Sequence, residues 1–389
     1  MKSHYDVIVV GGGFGGITAA KRLLRAGLEV LLINEHNHFT FTPLLHEVAT
    51  GNLNGQDATF EYGSFFRNKR FCFLRDVVTD VDPKRKIVRT SKQKIKFNYI
   101  VLATGSTTNY FGMKGTEHVQ VLKTLQDALD IKKRMVELAQ GPSRRVDVAV
   151  IGGGPTGMEL VVEMEQFLHT MKKRECDLGY SLTLIQAGPA VLTMYPDRVQ
   201  AYAANVLKKH NITLKLKTKA REVTSQSVHT TNGRIPANLT ILAAGVAPRT
   251  AFATDCCEEN KHMNVNVHLQ LKNYRNVFAI GDIIVQNTER IPKLAQTATR
   301  QGYIAAENII RLKKHKALLG YSPNLKGTMV SLGWGRGAAV IGPFVFTGFI
   351  GWWLWRTVYL FKTPGFFNKI EVAFSWTIDL FTGKNLVEH

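Results

Sequence analysis

Short runs of β-branched apolar residues that stop abruptly at glycine recur along this chain, and two of them repeat one another. Tyr5-Asp6-Val7-Ile8-Val9-Val10 leads into Gly11-Gly12-Gly13-Phe14-Gly15-Gly16 and then Ile17-Thr18-Ala19-Ala20. Val146-Asp147-Val148-Ala149-Val150-Ile151 leads into Gly152-Gly153-Gly154-Pro155-Thr156-Gly157 and then Met158-Glu159-Leu160. Each predicts a buried strand, a tight turn and the packed start of a helix. Further buried strands are predicted at Val30-Leu31-Leu32-Ile33, at Tyr99 to Leu102, at Ser181 to Ile185 and at Asn276 to Ile280.

The pattern changes near the C-terminus. From Ala338 to Trp355 there is no charged residue, and Phe344, Phe346, Phe349, Trp352, Trp353 and Trp355 fall in that stretch. A spanning helix needs about 20 mostly apolar residues without breaks. Gly342-Pro343, Gly348 and Gly351 interrupt this one, so the expectation is a strand ending near Gly342 and an aromatic helix starting near Gly351. A second helix, from about Phe366 to Phe381, carries a narrow polar stripe at Asn368, Glu371, Ser375 and Asp379. Its remaining positions are almost all apolar, which requires burial against protein or lipid.

A strand, a glycine turn and a helix N-terminus together make a site for a pyrophosphate, because the backbone approaches closely and free N–H groups face the anion. The candidate cofactor residues are Gly11, Gly13, Phe14, Gly15 and Gly16 in the first turn, and Gly152, Gly154, Pro155, Thr156 and Gly157 in the second. One such turn is weak evidence; two in the same context predict an α/β protein with two Rossmann-like domains that passes electrons between two dinucleotides.

Ala103-Thr104-Gly105, at the end of its strand, and Gly281-Asp282, at the end of another, resemble signatures of the two-dinucleotide-binding flavoproteins. That resemblance places Asp282 on the ribityl and pyrophosphate part of FAD, and reads the turn through Gly245 as the return from an inserted NAD(P)H domain. The acid that normally holds the first ribose falls at Asn34 or at Glu35, one place later. The matching position in the second domain is Gln186. A carboxylate there would bond the ribose of NADH and repel the 2′-phosphate of NADPH, so an amide predicts that NADPH is accepted beside NADH.

Composition narrows the route of the electrons. Cys72, Cys176, Cys256 and Cys257 show no C-x-x-C or metal-ligand spacing, and His38 to Leu45, where a disulfide reductase would carry its redox pair, has no cysteine. The formal charge is +20, with 50 Lys and Arg against 30 Asp and Glu. Lys132-Lys133-Arg134, Lys172-Lys173-Arg174 and Lys313-Lys314-His315-Lys316 read as solvated helical faces or as a surface for anionic lipid. No nucleic-acid module is recognisable. The tryptophans of the tail, with Arg356, Lys362 and Lys369 nearby, favour a monotopic membrane anchor, with a helix buried in a homodimer interface as the other reading.

The combined pattern resembles the type II NADH dehydrogenases, single-subunit NADH:quinone oxidoreductases that do not pump protons. It does so through Asn37-His38, Phe41-Thr42-Pro43-Leu44-Leu45-His46-Glu47-Val48-Ala49-Thr50-Gly51, the second glycine turn continuing into Met158-Glu159, and Ala295-Gln296-Thr297-Ala298. The resemblance implies that Thr42 and Pro43 lie at the cofactor, and that the Ala295-Gln296 pair opens the helix beside the flavin ring and contacts the quinone head. It implies that Glu159 is a carboxylate near the nicotinamide and quinone sides, as proton relay or as a structural acid. Arg300-Gln301 departs from the Gln-Gln of many members.

The expected organisation is an FAD domain over 1–115 and 246–325, an NAD(P)H domain over 116–245 and a membrane-associating segment over 326–389, at the cytoplasmic face of the cell membrane. Rival readings are a soluble NAD(P)H-dependent reductase of a protein partner, an apoptosis-inducing-factor-like binding flavoprotein, and a sulfide:quinone oxidoreductase.

Overall fold

A computed structural model describes residues 2–174, 177–252, 262–286 and 291–382. Cys176, Cys256 and Cys257 lie outside the described residues, as do the side chains of Ser375 and Asp379. The described helices are α1 (Phe14–Arg25), α2 (Leu45–Ala49), α3 (Tyr62–Phe65), α4 (Leu125–Gln140), α5 (Pro155–Arg174), α6 (Asp197–Lys209), α7 (Ala295–Lys313), α8 (Phe349–Lys362) and α9 (Phe366–Thr382). The chain divides into two compact units.

The first unit comprises Met1–Phe39, Phe60–Thr107 and Val246–Leu325. Its seven-stranded sheet runs in the order Phe71–Arg75, Val30–Asn34, His4–Val10, Lys94–Leu102, Ile87–Thr90 and Val78–Asp82, and Val277–Ala279 also pairs with Lys94–Leu102. The strands around His4–Val10 are parallel, and Val10 sits level with both Ile33 and Leu102. Parallel strands buried on both faces read as continuous apolar runs, which is why these were legible in the sequence. Helix α1 packs on α7 with little room: a Cβ at Gly302 would overlap the carbonyl oxygen of Gly15.

The second unit comprises Thr40–Thr59, Thr108–Gly245 and Lys326–His389. Its five-stranded parallel sheet runs Val119–Val121, Leu239–Leu242, Arg145–Ile151, Gly179–Ile185 and Thr213–Lys215, and Ile151 sits level with Ile185 and Leu242. The arrangement of the first unit around its central strand is therefore repeated.

The C-terminal part of this unit holds a finding that the pattern did not predict. Gly337–Ile341 ends beside Gly342 as expected, but Gly342-Pro343 is a two-residue hairpin turn and the chain returns as a third strand, Phe344–Gly348. Gly342 has φ +56°, the conformation such a tight hairpin requires. Helix α8 then starts at Phe349, two residues before the expected Gly351, with Gly348 as its N-cap. Alternation within five aromatic-rich residues is too short a signal to separate from a loop bounded by glycines.

Helix α9 spans Phe366–Thr382, close to the expected bounds. Among the described residues no helix is long and apolar enough to cross a membrane.

Candidate functional site

The two glycine turns have the same construction, each within its own unit. The amide of Gly11 donates to Ile33 O at 2.8 Å, and that of Gly152 donates to Ile185 O at 2.8 Å. Ala103 N donates to Val10 O and Ala243 N to Ile151 O, again at 2.8 Å. Gly11 (φ +99°) and Gly152 (φ +118°) take a conformation closed to ordinary residues. Gly16 and Gly157 serve a different purpose: a Cβ at either would overlap the carbonyl oxygen of Gly11 or of Gly152.

The third glycine of each turn identifies the ligand face. Among the described residues nothing lies within 4 Å of the position a Cβ would take at Gly13 or at Gly154, so the backbone there borders open space. No side chain caps α1, and neither α1 nor α5 has an acidic residue in its first turn, so the positive end of each helix macrodipole meets no carboxylate of its own. Phe14 and Gly15, and likewise Pro155 and Thr156, form those first turns.

At the ribose positions the two amides do the same thing. Asn34 Oδ1 accepts from Gly12 N at 3.0 Å while its Nδ2 donates to His36 O at 3.0 Å. Gln186 Oε1 accepts from Gly153 N at 3.0 Å while its Nε2 donates to Ala190 O at 3.1 Å. Each amide thus ties its glycine turn to the following loop. A carboxylate could make only the first of these bonds and would set an oxygen against a carbonyl in the second. Glu35 is held in an ion pair with Arg249.

The remaining residues predicted at the cofactor divide between the units. In the first, Asp282 accepts from Ser106 Oγ at 2.6 Å, Thr104 Oγ1 donates to Arg249 O at 2.7 Å, and Gly105 and Gly281 have φ of +68° and +78°. Ala295 and Gln296 open α7, half-buried. In the second unit, Thr42 is exposed and Pro43 half-buried in a short turn before α2, and the Cβ position of Gly245 meets the ring of Phe111. Glu159 belongs to this second unit as well.

Further side chains hold these turns in place. Tyr62 Oη donates to Gly12 O at 3.1 Å and occupies the space a side chain at Gly12 would need. Gln301 Oε1 accepts from Gly281 N at 2.7 Å from a fully buried position, whereas Arg300 is exposed, so the departure at Arg300 leaves this contact in place. Arg75, Asp76, Val77, Ser91 and Lys92 line a cavity of about 350 Å³ beside Glu35.

These residues fit FAD: an open glycine face at Gly13, an uncapped helix, a carboxylate at Asp282 and a cavity at the end of the second strand. FAD bound there would supply two-electron chemistry, taking a hydride from a nicotinamide and yielding electrons to an acceptor. The fit at Gly154 and Gln186 is to a second dinucleotide.

Around Glu159 the second unit gathers ionisable groups away from water. Glu159, His46, Glu47 and Glu163 are all buried. Ser331 N donates to Glu159 Oε1 at 3.1 Å, and His46 Nδ1 lies 3.9 Å from Oε2. Trp376 Nε1 donates to Glu47 Oε2 at 2.8 Å, and Asn52 Nδ2 to Glu163 Oε2 at 2.6 Å. Burial pushes the Glu159 carboxyl up to about 8; the Ser331 amide opposes this, while the neighbouring Glu47 and Glu163 add to it. The carboxyl is therefore mostly protonated at neutral pH and can donate. Burial raises the Tyr359 phenol in the same environment, with the charge of Glu159 contributing.

Aromatic side chains close this region. Trp355 packs 4.7 Å from Tyr359 and 5.8 Å from His46, and the Arg356 guanidinium sits over Trp352 at 4.2 Å and Trp376 at 4.9 Å. The inner face of α8 packs on the strands Thr328–Ser331, Gly337–Ile341 and Phe344–Gly348, and Trp355 and Trp376 reach α2 at His46 and Glu47; Trp352, Trp355, Val372 and Trp376 are buried. Their outer face exposes Phe349, Ile350, Trp353, Phe361, Ile370 and Phe374.

Comparison with known proteins agrees with this geometry. Residues 5–302 match the family model described as pyridine nucleotide-disulphide oxidoreductase. A probable NADH dehydrogenase of Dictyostelium discoideum is 26% identical, with 98% of this chain and 90% of the relative covered. The type II NADH:quinone oxidoreductase Ndh of Mycobacterium tuberculosis is 28% identical, with 96% and 88% covered. Among solved structures, NDH2 from Plasmodium falciparum in complex with NADH superposes with a TM-score of 0.92 at 20% identity, covering 99% of this chain and 100% of that one, which shows a shared fold. The match over residues 5–302 spans most of the sequence: the chain belongs to the pyridine nucleotide-disulphide oxidoreductase family.

Proposed function

We propose that this chain is an FAD-containing NAD(P)H:quinone oxidoreductase that works at a membrane surface without pumping protons. The observation that carries this reading is the duplicated glycine turn, built with matching hydrogen bonds in both units and bordering open space at Gly13 and at Gly154. The names of the relatives over nearly the full chain support it, as does the absence of cysteine from His38 to Leu45, which removes the route used by disulfide reductases. Hydride transfer from a nicotinamide needs close positioning more than an acid or base. The acceptor does need protons: NADH + H⁺ + Q → NAD⁺ + QH₂ takes one from solvent in every turnover. Glu159 is the proton-holding residue, and Ala295 and Gln296 meet the quinone head.

The experiment is an anaerobic titration of the purified flavoprotein, in which NADH bleaches the flavin band and a ubiquinone or menaquinone analogue restores it. A flavin that NADH reduces and no quinone reoxidises would remove the reading.

The amide at Gln186 predicts the choice of donor. NADPH is accepted by the wild type, and Gln186→Glu lowers kcat/KM for NADPH relative to NADH by about tenfold, equivalent to about 1.4 kcal/mol of repulsion from the 2′-phosphate. A wild type already strongly selective for NADH, with the ratio unmoved by Gln186→Glu, contradicts this.

The outer face of α8 and α9 is proposed to lie in the headgroup region at the cytoplasmic face. Lys362 and Lys369 reach over Tyr359 and Phe361 there, and the net charge of +20 favours anionic lipid. Trp353→Glu with Phe361→Glu is expected to weaken sedimentation with phosphatidylglycerol vesicles by roughly tenfold or more, since burying one large apolar side chain is worth about 1.5–3 kcal/mol. Unchanged binding of the double variant would place the contact elsewhere.

A further inference from the structure

The buried carboxylates of the second unit surround a cavity that the redox reaction does not otherwise explain. It measures about 20 Å³, room for one water molecule by the measure of about 10–15 Å³ per water. Glu47, Asn52, Glu163, Gln166, Trp334 and Arg356 contribute to its wall, as does Ser331, whose amide holds Glu159. A cavity lined by carboxylates, amides and a guanidinium offers a water the two to four polar partners it needs, whereas apolar cavities of this size stay dry.

The geometry gives the cavity a direction. Glu159 and Glu163 are one turn apart on α5 and so share a face of that helix. Glu163 lines the cavity, and Ser331 connects the cavity wall to Glu159 Oε1. The wall also includes Trp334, which is half exposed, and Gln166, whose Oε1 accepts from Trp334 N at 3.4 Å. The groups facing Glu159 are His46 and Glu47 from α2, Glu163 from its own helix, the Ser331 amide, the indole of Trp355, and the phenols of Tyr195 and Tyr359. Arg356 supplies the positive charge on the same wall.

We propose that this cavity is the proton inlet for quinone reduction, with Glu163 taking a proton from solvent near Trp334 and passing it through a cavity water to Glu159. The inference rests on the quinone reading and deepens it. Chemical balance requires one proton from solvent: the hydride of NADH carries one proton and two electrons, and QH₂ needs a second proton. In the step itself, Glu163 O–H breaks as a water O–H forms, that water releases a different proton to the Glu159 carboxylate, and Glu163 is reprotonated from solvent. No electron moves in it. Glu163 acts through Glu159 and is therefore a proton-supplying residue, with no contact to the reacting atoms required.

The test uses the full-length FAD-loaded protein, reduced anaerobically with one equivalent of NADH and then mixed with either a ubiquinone analogue or ferricyanide, which accepts electrons without protons. Glu163→Gln keeps the acceptor for Asn52 but holds no transferable proton. Reoxidation by the quinone is expected to slow by roughly tenfold, less than the roughly hundredfold or more that loss of a directly positioned acid costs. Reoxidation by ferricyanide is expected to be unchanged, and a small permeant acid such as formic acid should restore part of the quinone rate.

Glu163→Asp keeps a carboxyl on the wall and should retain most of the wild-type rate, which guards against a merely structural effect. Infrared difference spectra in H₂O and D₂O give a readout independent of turnover: the protonated carboxyl band of Glu159 should exchange more slowly in Glu163→Gln. Unchanged quinone reoxidation in Glu163→Gln, or equal slowing with ferricyanide, would overturn the inlet. If the wild type itself is reoxidised by ferricyanide and by no quinone, the functional reading fails and the inlet fails with it.

Discussion

Gly16→Val is expected to yield protein almost devoid of flavin, whereas Gly157→Val keeps its flavin and loses affinity for the nicotinamide donor. Both substitutions drive side-chain atoms into a backbone carbonyl, that of Gly11 in one case and of Gly152 in the other. Backbone cannot yield as a flexible side chain can, so the turn must open. Overpacking of this kind costs about 1–3 kcal/mol, and each 1.4 kcal/mol taken from binding is about tenfold in affinity. Flavin affinity should therefore fall by roughly fivefold to a hundredfold for Gly16→Val, and KM for NADH should rise over about the same range for Gly157→Val. Gly13→Ala separates the ligand's space from the protein's. Its Cβ meets nothing within 4 Å among the described residues and its φ is −78°, so Tm should stay unchanged while flavin affinity falls. Equal flavin content in wild type, Gly13→Ala and Gly16→Val would show that the first turn is not the cofactor cradle.

Glu159→Gln is expected to slow quinone reoxidation by roughly a hundredfold, the low end of what a positioned acid contributes, while flavin bleaching by NADH is unaffected. The sign with pH follows from the raised carboxyl. Below about 8 it is protonated and can donate, so the wild-type rate should be flat at neutral pH and fall as pH rises through about 8. The variant should lose that limb. Stability carries the same signature. A carboxyl raised on folding stabilises the native state fully below its unfolded value near 4.5, and that contribution is lost as pH rises to about 8. For so buried a group this amounts to a few kcal/mol, at about 1.4 kcal/mol per pH unit. Wild type should therefore lose stability relative to Glu159→Gln between pH 4.5 and pH 8, read from denaturant midpoints. A pH profile identical in both proteins would reduce Glu159 to a structural acid.

What could be read from the sequence follows from which constraints are local. The glycine turns, their strands and the start of the next helix are fixed by backbone sterics over some fifteen residues, so the repeat announces itself. Asn34 and Gln186 could be located by counting from the turns, but not their second bonds to His36 O and Ala190 O, which depend on the path of each loop. The strand Phe344–Gly348 was hidden because its hairpin consists of the same Gly342-Pro343 that reads as a break. The surroundings of Glu159 were the least legible. Glu163 follows it at helical spacing and could have been noticed, but Glu47 and Trp376 are 329 positions apart and only the folded chain joins them. Gln301 shows the reverse case: the departure visible in its motif is at Arg300, while the retained glutamine makes the contact with Gly281.

Electrons entering from a nicotinamide should leave to a quinone. Anaerobic stopped-flow absorbance tests this most directly, with enzyme reduced by one equivalent of NADH mixed against ubiquinone and menaquinone analogues. Full return of the oxidised flavin band is expected, with one quinol formed per NADH consumed; a flavin that stays bleached with every quinone yet recovers with ferricyanide would rule quinone out as the acceptor.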